Sequence, residues 1–286
     1  MNGVKLAAEG VSIGYRTREG RNIRTATVVD GVDLEVADGE FLCIVGPSGC
    51  GKTTFMTAIT GMLPLSAGRF ELDGKPITGP GTDRAMVFQG AQLLPWRTVR
   101  GNVAYGLEVL RRDRAAKQER VTELLDLVGL ADFADHYPHQ LSGGMQQRAN
   151  LARALAVDSD VLLLDEPFAA LDAQTRELMQ AELTRIWAAQ RKTSILVTHS
   201  ISEAVFLADR VVVFGPRPAR VRKIVPIDLP RPRRLDVKHT AGFRELERTV
   251  WDLIETAEIE TADLETADLD AGSPVVDPAP VEREAP

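Results

Sequence analysis

Phe41-Leu42-Cys43-Ile44-Val45-Gly46-Pro47-Ser48-Gly49-Cys50-Gly51-Lys52-Thr53 is an apolar run followed by a glycine-rich octet of the form G-x-x-x-x-G-K-[ST]. The run reads as a buried strand, and Thr53 through Leu63 reads as a helix that stops near Pro64. Between them, small residues let successive backbone N–H groups turn inward around a phosphate chain, with a helix N-terminus adding partial positive charge. Lys52 is the residue expected to reach the β- and γ-phosphates, and the Thr53 hydroxyl the one expected to ligate Mg²⁺. Cys50 is either a small filler of this loop or a thiol made reactive by the surrounding N–H groups.

Working outward, Val161–Leu164, Ser194–Val197 and Val211–Phe214 are further short apolar runs, and helical stretches separate them. Continuous rather than alternating apolar residues predict strands covered on both faces, hence an α/β fold with a parallel sheet. Residues 90–157 break the pattern with helical periodicity, including Val121, Leu124, Leu125 and Val128 ahead of Gly129, and read as a helical insertion. After Gly215 the chain becomes rich in Pro and Arg. Phe243, Leu246, Val250, Trp251 and Ile254 then mark an amphipathic helix. From Glu255 a five-residue repeat (Glu-Thr-Ala-Glu-Ile, then Glu-Thr-Ala-Asp-Leu twice) faintly resembles pentapeptide β-helices, but three copies are too few to bury a core. With Pro274, Pro278, Pro280 and Pro286 beyond it, 257–286 is expected to be a disordered acidic tail.

The 286 residues carry a formal charge of −7, and the charge is unevenly placed. Eleven of the 41 acids but one of the 34 basic residues lie between Asp252 and Pro286, a net of −10, which leaves +3 for the remainder. Neither part has the basic excess of a nucleic-acid binder. Two cysteines cannot form a disulfide framework, which points to a reducing compartment. Residues 1–5 have no apolar stretch behind their charge, and no run approaches membrane-spanning length. The expectation is a chain of the cytoplasm.

Asp165 and Glu166 end the second buried strand, where α/β proteins place ligand sites. Asp165 suits Mg²⁺, directly or through water, and Glu166 suits orienting and deprotonating an attacking water. His199 follows the strand ending in Val197 at the same sheet edge and is a candidate γ-phosphate contact. His136 and His139 belong to a loop around Pro138.

Leu141-Ser142-Gly143-Gly144-Met145-Gln146-Gln147-Arg148 resembles the signature motif of ATP-binding cassette (ABC) ATPases, with Met145 where many members have Gln. Gln89 resembles the Q-loop glutamine, Ala169-Ala170-Leu171-Asp172 the D-loop, His199 the switch histidine and Tyr15 the aromatic residue that stacks on adenine. The resemblance covers about residues 4–256. It implies a P-loop NTPase (RecA-like) core with an antiparallel N-terminal β subdomain and a helical signature subdomain. The ATPase domain is then 1–225 and the C-terminal segment with its helix 226–256. ATP and Mg²⁺ are the implied cofactors. Nucleotide contacts fall to Tyr15, Gly46, Pro47, Ser48, Gly49, Cys50, Gly51, Lys52, Thr53, Thr54 and Gln89, and from a second cassette to Ser142, Gly143, Gly144 and Asp172. Thr53, Gln89 and Asp165 are the implied Mg²⁺ set, and Glu166, His199 and Lys52 the catalytic one. One set of motifs implies a homodimer or a partner cassette, with the partner's signature helix capping each γ-phosphate.

Leu93-Leu94-Pro95-Trp96-Arg97-Thr98-Val99, the run from Asp165 to Arg176, Glu203–Arg210 and Leu229–Arg233 resemble the ATPases of nitrate, sulfonate and taurine importers, with Ser200 in place of an expected Asp. Membership implies a peripheral protein at the cytoplasmic face of the membrane. Its partners are permease subunits and, indirectly, an extracytoplasmic solute-binding protein, with no nucleic acid. Taurine or alkanesulfonates come first as solute, nitrate second and a thiamine-precursor pyrimidine third. By its residues alone, Trp96 either fills the local core or faces a partner; the resemblance makes it a permease contact. The rival reading is a soluble ABC ATPase acting on DNA or ribosomes, which would carry paired cassettes or long insertions and basic surfaces. An exporter ATPase is the rival within transport.

Overall fold

The computed structural model describes residues 3–19 and 22–270. Strands β1 (Val4–Glu19) and β2 (Asn22–Ala37) form a long antiparallel hairpin. Then come β3 (Phe41–Val45), α1 (Lys52–Ile59), β4 (Ala67–Leu72), β5 (Lys75–Pro76) and β6 (Arg84–Val87). Helices α2 (Val99–Val109), α3 (Arg114–Leu127) and α4 (Gly143–Ala156) occupy the stretch read as a helical insertion. The chain continues through β7 (Val161–Asp165), α5 (Ala173–Gln190), β8 (Thr193–Val197), α6 (Ile201–Leu207), β9 (Arg210–Phe214), β10 (Val221–Pro226) and α7 (Ala241–Asp270).

Two sheets result. An antiparallel one runs β2-β1-β4-β5, and a six-stranded one runs β10-β9-β3-β8-β7-β6, in which β10 alone pairs antiparallel. The central strands of the second sheet, β3, β8 and β7, are buried from end to end because both faces are covered, as their uninterrupted apolar runs require. Leu42, Ile44, Leu163, Ile195 and Val212 face α1 and the N-terminal sheet, packing with Phe55, Met56, Ile13 and Phe70. Cys43, Val45, Leu164, Leu196 and Val213 face the other helices. This α/β architecture, with its antiparallel subdomain and its helices, is the one the sequence implied.

Parallel register aligns the carboxyl ends of three strands that are far apart in sequence. Ile44 pairs with Val197, and Val197 with Asp165. The segments after β3, β7 and β8 therefore leave one edge of the sheet side by side, which is where such sheets bind ligands.

Two expectations need correction. Helix α1 ends at Ile59, four residues before Leu63, because Gly61 adopts φ +79° against Gly79, where any Cβ would lie 2.3 Å from backbone. The acidic repeat, expected to be disordered from residue 257, continues α7 as far as Asp270. Its Glu, Thr, Ala, Asp and Leu include strong helix formers and no Gly or Pro before Gly272, so backbone propensity prevails over a period that makes no apolar stripe. Residues 271–286 lie outside the described residues. Within α7, Phe243, Val250 and Ala257 are fully buried at seven-residue spacing, while Trp251 points outward. Among the described residues no helix is long and apolar enough to cross a membrane.

Candidate functional site

The phosphate loop joins β3 to α1 and wraps the side chain of Lys52. Its Nζ donates to the carbonyls of Gly46 and Pro47, each at 2.8 Å, and the residue is buried. Two loop positions admit glycine only. A Cβ on Gly46 (φ +155°) would meet Phe214 O at 2.7 Å, and one on Gly51 (φ +122°) would meet Val28 Cγ1 at 2.9 Å. Thr53, in the first turn of α1, donates its Oγ1 proton to Asp165 Oδ1 at 3.1 Å. Burial pushes the Asp165 carboxyl above its ordinary range, with Glu166 adding to the shift and Thr53 and Lys52 opposing it. Cys50 is buried, and that burial raises its thiol pKa against the pull of Lys52 and the loop N–H groups. The reactive-thiolate alternative for Cys50 is therefore set aside.

Glu166 follows β7 directly. Its backbone lies in the left-handed region (φ 47°), a conformation uncommon for a residue with a Cβ, and its N–H donates to Val197 O of the neighbouring strand at 2.9 Å. This turn lifts its carboxylate out of the sheet. Gln89 Nε2 donates to Glu166 Oε2 at 2.8 Å, and His199 Nδ1 lies 3.4 Å from Glu166 Oε1. Tyr15, Ser48, Gly49, Gly51, Lys52, Thr53, Thr54, Gln89, Glu166 and His199 all line one cavity of about 710 Å³. Sequence reasoning missed two further lining residues, Val28 and Arg217. Arg217 lies in Gly215-Pro216-Arg217-Pro218, a segment that reads from sequence only as the turn ending a strand.

The signature residues lie elsewhere. Ser142 caps α4, its Oγ accepting from Met145 N at 3.3 Å, and Ser142 and Gly143 are exposed. A Cβ on Gly144 would lie 3.4 Å from Leu171, so this helix start adjoins the Ala169–Asp172 segment. Asp172 caps α5 through Thr175 N at 2.9 Å, and hydrogen bonds from the Thr175 N–H and hydroxyl hold its carboxyl below the usual range. None of Ser142, Gly143, Gly144 and Asp172 lines the cavity that holds Lys52.

A partly buried network, also missed, joins that second face to Thr198 and Ser200, the residues flanking His199. Arg176 donates through a terminal nitrogen to Leu171 O at 2.9 Å and places its Nε 3.8 Å from Glu203 Oε1. Glu203 accepts from Thr198 Oγ1 at 2.6 Å, and Thr198 Oγ1 accepts from Ser200 N at 3.0 Å. Burial raises the Glu203 carboxyl above its ordinary value, despite the Thr198 hydrogen bond. Ser200 caps α6 through Glu203 N, so serine does there what Asp would do.

Trp96 is 71% exposed and fills no core. Asn102, fully buried, fixes the turn that carries it: its Oδ1 accepts from Leu94 N at 2.7 Å, and its Nδ2 donates to the carbonyls of Leu94, Arg97 and Thr98. An apolar cavity of about 350 Å³ lies nearby, lined by Met86, Leu94, Tyr105 and Val109 among others.

A family model described as "ABC transporter" matches residues 29–169. A taurine import ATP-binding protein of Rhizobium johnstonii is 43% identical over 260 residues, covering 88% of this chain and 97% of that protein. A nitrate import ATP-binding protein of Synechococcus elongatus is 44% identical over 228 residues, covering 78% of this chain but 35% of that longer protein. Among solved structures, a dimeric ATP-binding cassette in a post-hydrolysis state, bound to ADP and inorganic phosphate, superposes with a TM-score of 0.70. It is 30% identical, and the match covers 79% of this chain and all of that one.

Proposed function

The chain belongs to the ABC transporter ATP-binding family and is an ATP-binding, ATP-hydrolysing enzyme, and we propose that it energises an importer of a small anionic solute through a separate permease. The observation that carries this reading is the split site: the phosphate loop, Glu166, Gln89 and His199 converge on one cavity, while the signature helix and the D-loop form another face. Each half supplies what the other lacks, so two cassettes arranged head to tail complete two sites. A homodimer, or a dimer with a second cassette, is the assembly proposed, and the dimeric solved relative supports it.

Within one site, Lys52 exchanges its two carbonyl acceptors for β- and γ-phosphate oxygens, a gain because the new acceptors are charged. Mg²⁺ is the proposed metal. Thr53 Oγ1 and Asp165 Oδ1 are hard oxygen donors 3.1 Å apart, and Asp165 is a buried carboxylate whose charge a cation would favour. Gln89 would complete the set from the cavity wall. When bound, the ion supplies neutralising charge at the phosphate oxygens. Glu166 accepts the proton of the attacking water, Gln89 and His199 hold the Glu166 carboxylate, and His199 contacts the γ-phosphate. Ser142, Gly143 and Gly144 of the second cassette cap that phosphate with the N-terminus of α4, and the neighbouring Asp172 completes the contact. Tyr15 stacks on the adenine.

The exposed Trp96, on a turn braced by Asn102 beside an apolar cavity, is the proposed seat of the permease's cytoplasmic helix. On this reading the protein works at the cytoplasmic face of the membrane, which the exposed Trp96 and the neighbouring cavity support. Trp96→Ala is expected to lower transport-coupled ATPase activity about tenfold, with nucleotide affinity unchanged. Uncoupled and coupled rates on reconstituted transporter test this, and equal loss of both would give Trp96 a structural role instead.

Taurine or an alkanesulfonate is the first proposed solute, supported by a taurine-import relative matched along nearly its whole length, and nitrate is the second. A permease and an external binding protein would select it. The test is uptake of labelled taurine, alkanesulfonates and nitrate by the native cell carrying Lys52→Ala. Selective loss of sulfonate uptake is expected. Loss of nitrate uptake alone would move the assignment to nitrate, and undiminished uptake of the whole panel would refute this solute class.

A further inference from the structure

The cavity is lined both by the phosphate loop with Lys52 and by Tyr15, the residue read as stacking on adenine, and a further cation that lines it has no role in the reading above. Arg217 lines the cavity with Tyr15 and Val28. It projects from the turn between β9 and β10, which is stitched to β2: Ala219 N donates to Val28 O at 2.7 Å and Asp30 N to Ala219 O at 3.0 Å. Arg220 in the same turn is tied to Asp30 by an ion pair. The turn is thus held against Val28, and Val28 abuts Gly51 of the phosphate loop. Among the described residues Arg217 makes no hydrogen bond or ion pair, although its neighbour Arg220 makes both. Lys52, the other cation lining the cavity, is engaged by the loop carbonyls.

An unpaired guanidinium on a fixed turn, sharing one cavity with a phenol and a valine, is chemistry for a flat heteroaromatic ring bearing a ribose. Guanidinium planes stack on ring faces and donate to hydroxyl and ring-nitrogen acceptors from the same fork. We propose that Arg217 is a nucleotide-specificity residue that, with Tyr15 and Val28, holds the nucleoside part of ATP and ADP. This rests on the reading of the cavity as the ATP site and adds to it the group that recognises the base and ribose.

The test measures affinity of the full chain for ATP, ADP and inorganic tripolyphosphate, in wild type, Arg217→Ala, Arg217→Lys and Arg220→Ala. In Arg217→Ala the dissociation constants for ATP and ADP are expected to rise together by about five- to tenfold, with tripolyphosphate unchanged. Arg217→Lys, which keeps the charge and loses the plane, should restore little, and Arg220→Ala, which removes an exposed ion pair but keeps both backbone bonds that hold the turn, should match wild type. Unchanged nucleotide affinity in Arg217→Ala overturns the proposal, as does an equal loss of tripolyphosphate, which would assign the cation to the phosphates. Wild type that binds none of the three would instead overturn the ATP-site reading itself. Arg217 is exposed and unpaired, so its removal is not expected to disturb folding.

Discussion

Glu166→Gln is expected to lower the ATP turnover number roughly a thousandfold, the middle of the range for a positioned base, while leaving ATP binding intact. The substitution keeps size and shape, so the left-handed backbone at this position is strained no further than before. An amide oxygen still accepts from Gln89, and an amide still meets His199. What disappears is the capacity to take a proton from water. Because the γ-phosphate is held between the two cassettes in the dimer proposed here, a variant that does not cleave it should accumulate as an ATP-bound dimer. Phosphate release and sizing with and without ATP measure both effects. A variant that hydrolyses ATP within about threefold of wild type would remove Glu166 from the role of base, and one that binds ATP but stays monomeric would count against the dimer.

Arg233→Ala is the second large effect, and it acts on stability. Arg233 is 5% exposed, and burial brings its pKa down to about 10, so it remains protonated at neutral pH. One terminal nitrogen donates to the carbonyls of Val205, Phe206 and Ala208 at 2.6–3.2 Å, and the other to those of Ile227 and Leu229 at 3.2 and 3.4 Å. Three of these acceptors are the otherwise unpaired carbonyls at the C-terminal end of α6, where the helix dipole also favours a cation. Arg231 adds a bond to Leu207 O at 2.7 Å, while its guanidinium lies 4.0 Å from the centre of the Trp187 ring. Removing Arg233 strands several buried carbonyls, a loss of about 3 kcal/mol. Spread over a chain of this size, that corresponds to a fall in Tm of about 6–12 °C. Arg233→Met, which fills the volume without donating, should fall nearly as far. Thermal unfolding of both variants decides the matter, and a shift below about 2 °C would show that water satisfies those carbonyls.

The contrast between these two residues shows how far the sequence could be read. Glu166, Lys52 and Thr53 were legible because local chemistry announces them: a strand, a loop of small residues and a helix start occupy thirteen consecutive positions, and an acidic pair ends a buried strand. Ser142–Gly144 were legible by resemblance. Arg233 was visible only as one base in a Pro- and Arg-rich segment, since its acceptors lie up to 28 residues away. The acidic repeat was misread beyond residue 257 because composition and proline content favoured disorder, while its own helix propensity carried α7 to Asp270.

By itself, the sequence determined the α/β class, the buried strands, the helical stretch within them and the identity of the phosphate loop, because each depends on neighbours along the chain. The strand order β9-β3-β8-β7 belonged to the tertiary structure, and it brings Lys52, Asp165, Glu166 and His199 to one edge from positions more than a hundred residues apart. So did the outward placement of Trp96, the cap that Arg233 puts on α6, and the presence of Arg217 in one cavity with Tyr15. Each of these depends on which surfaces bury together, and burial of apolar area carries no record of sequence separation.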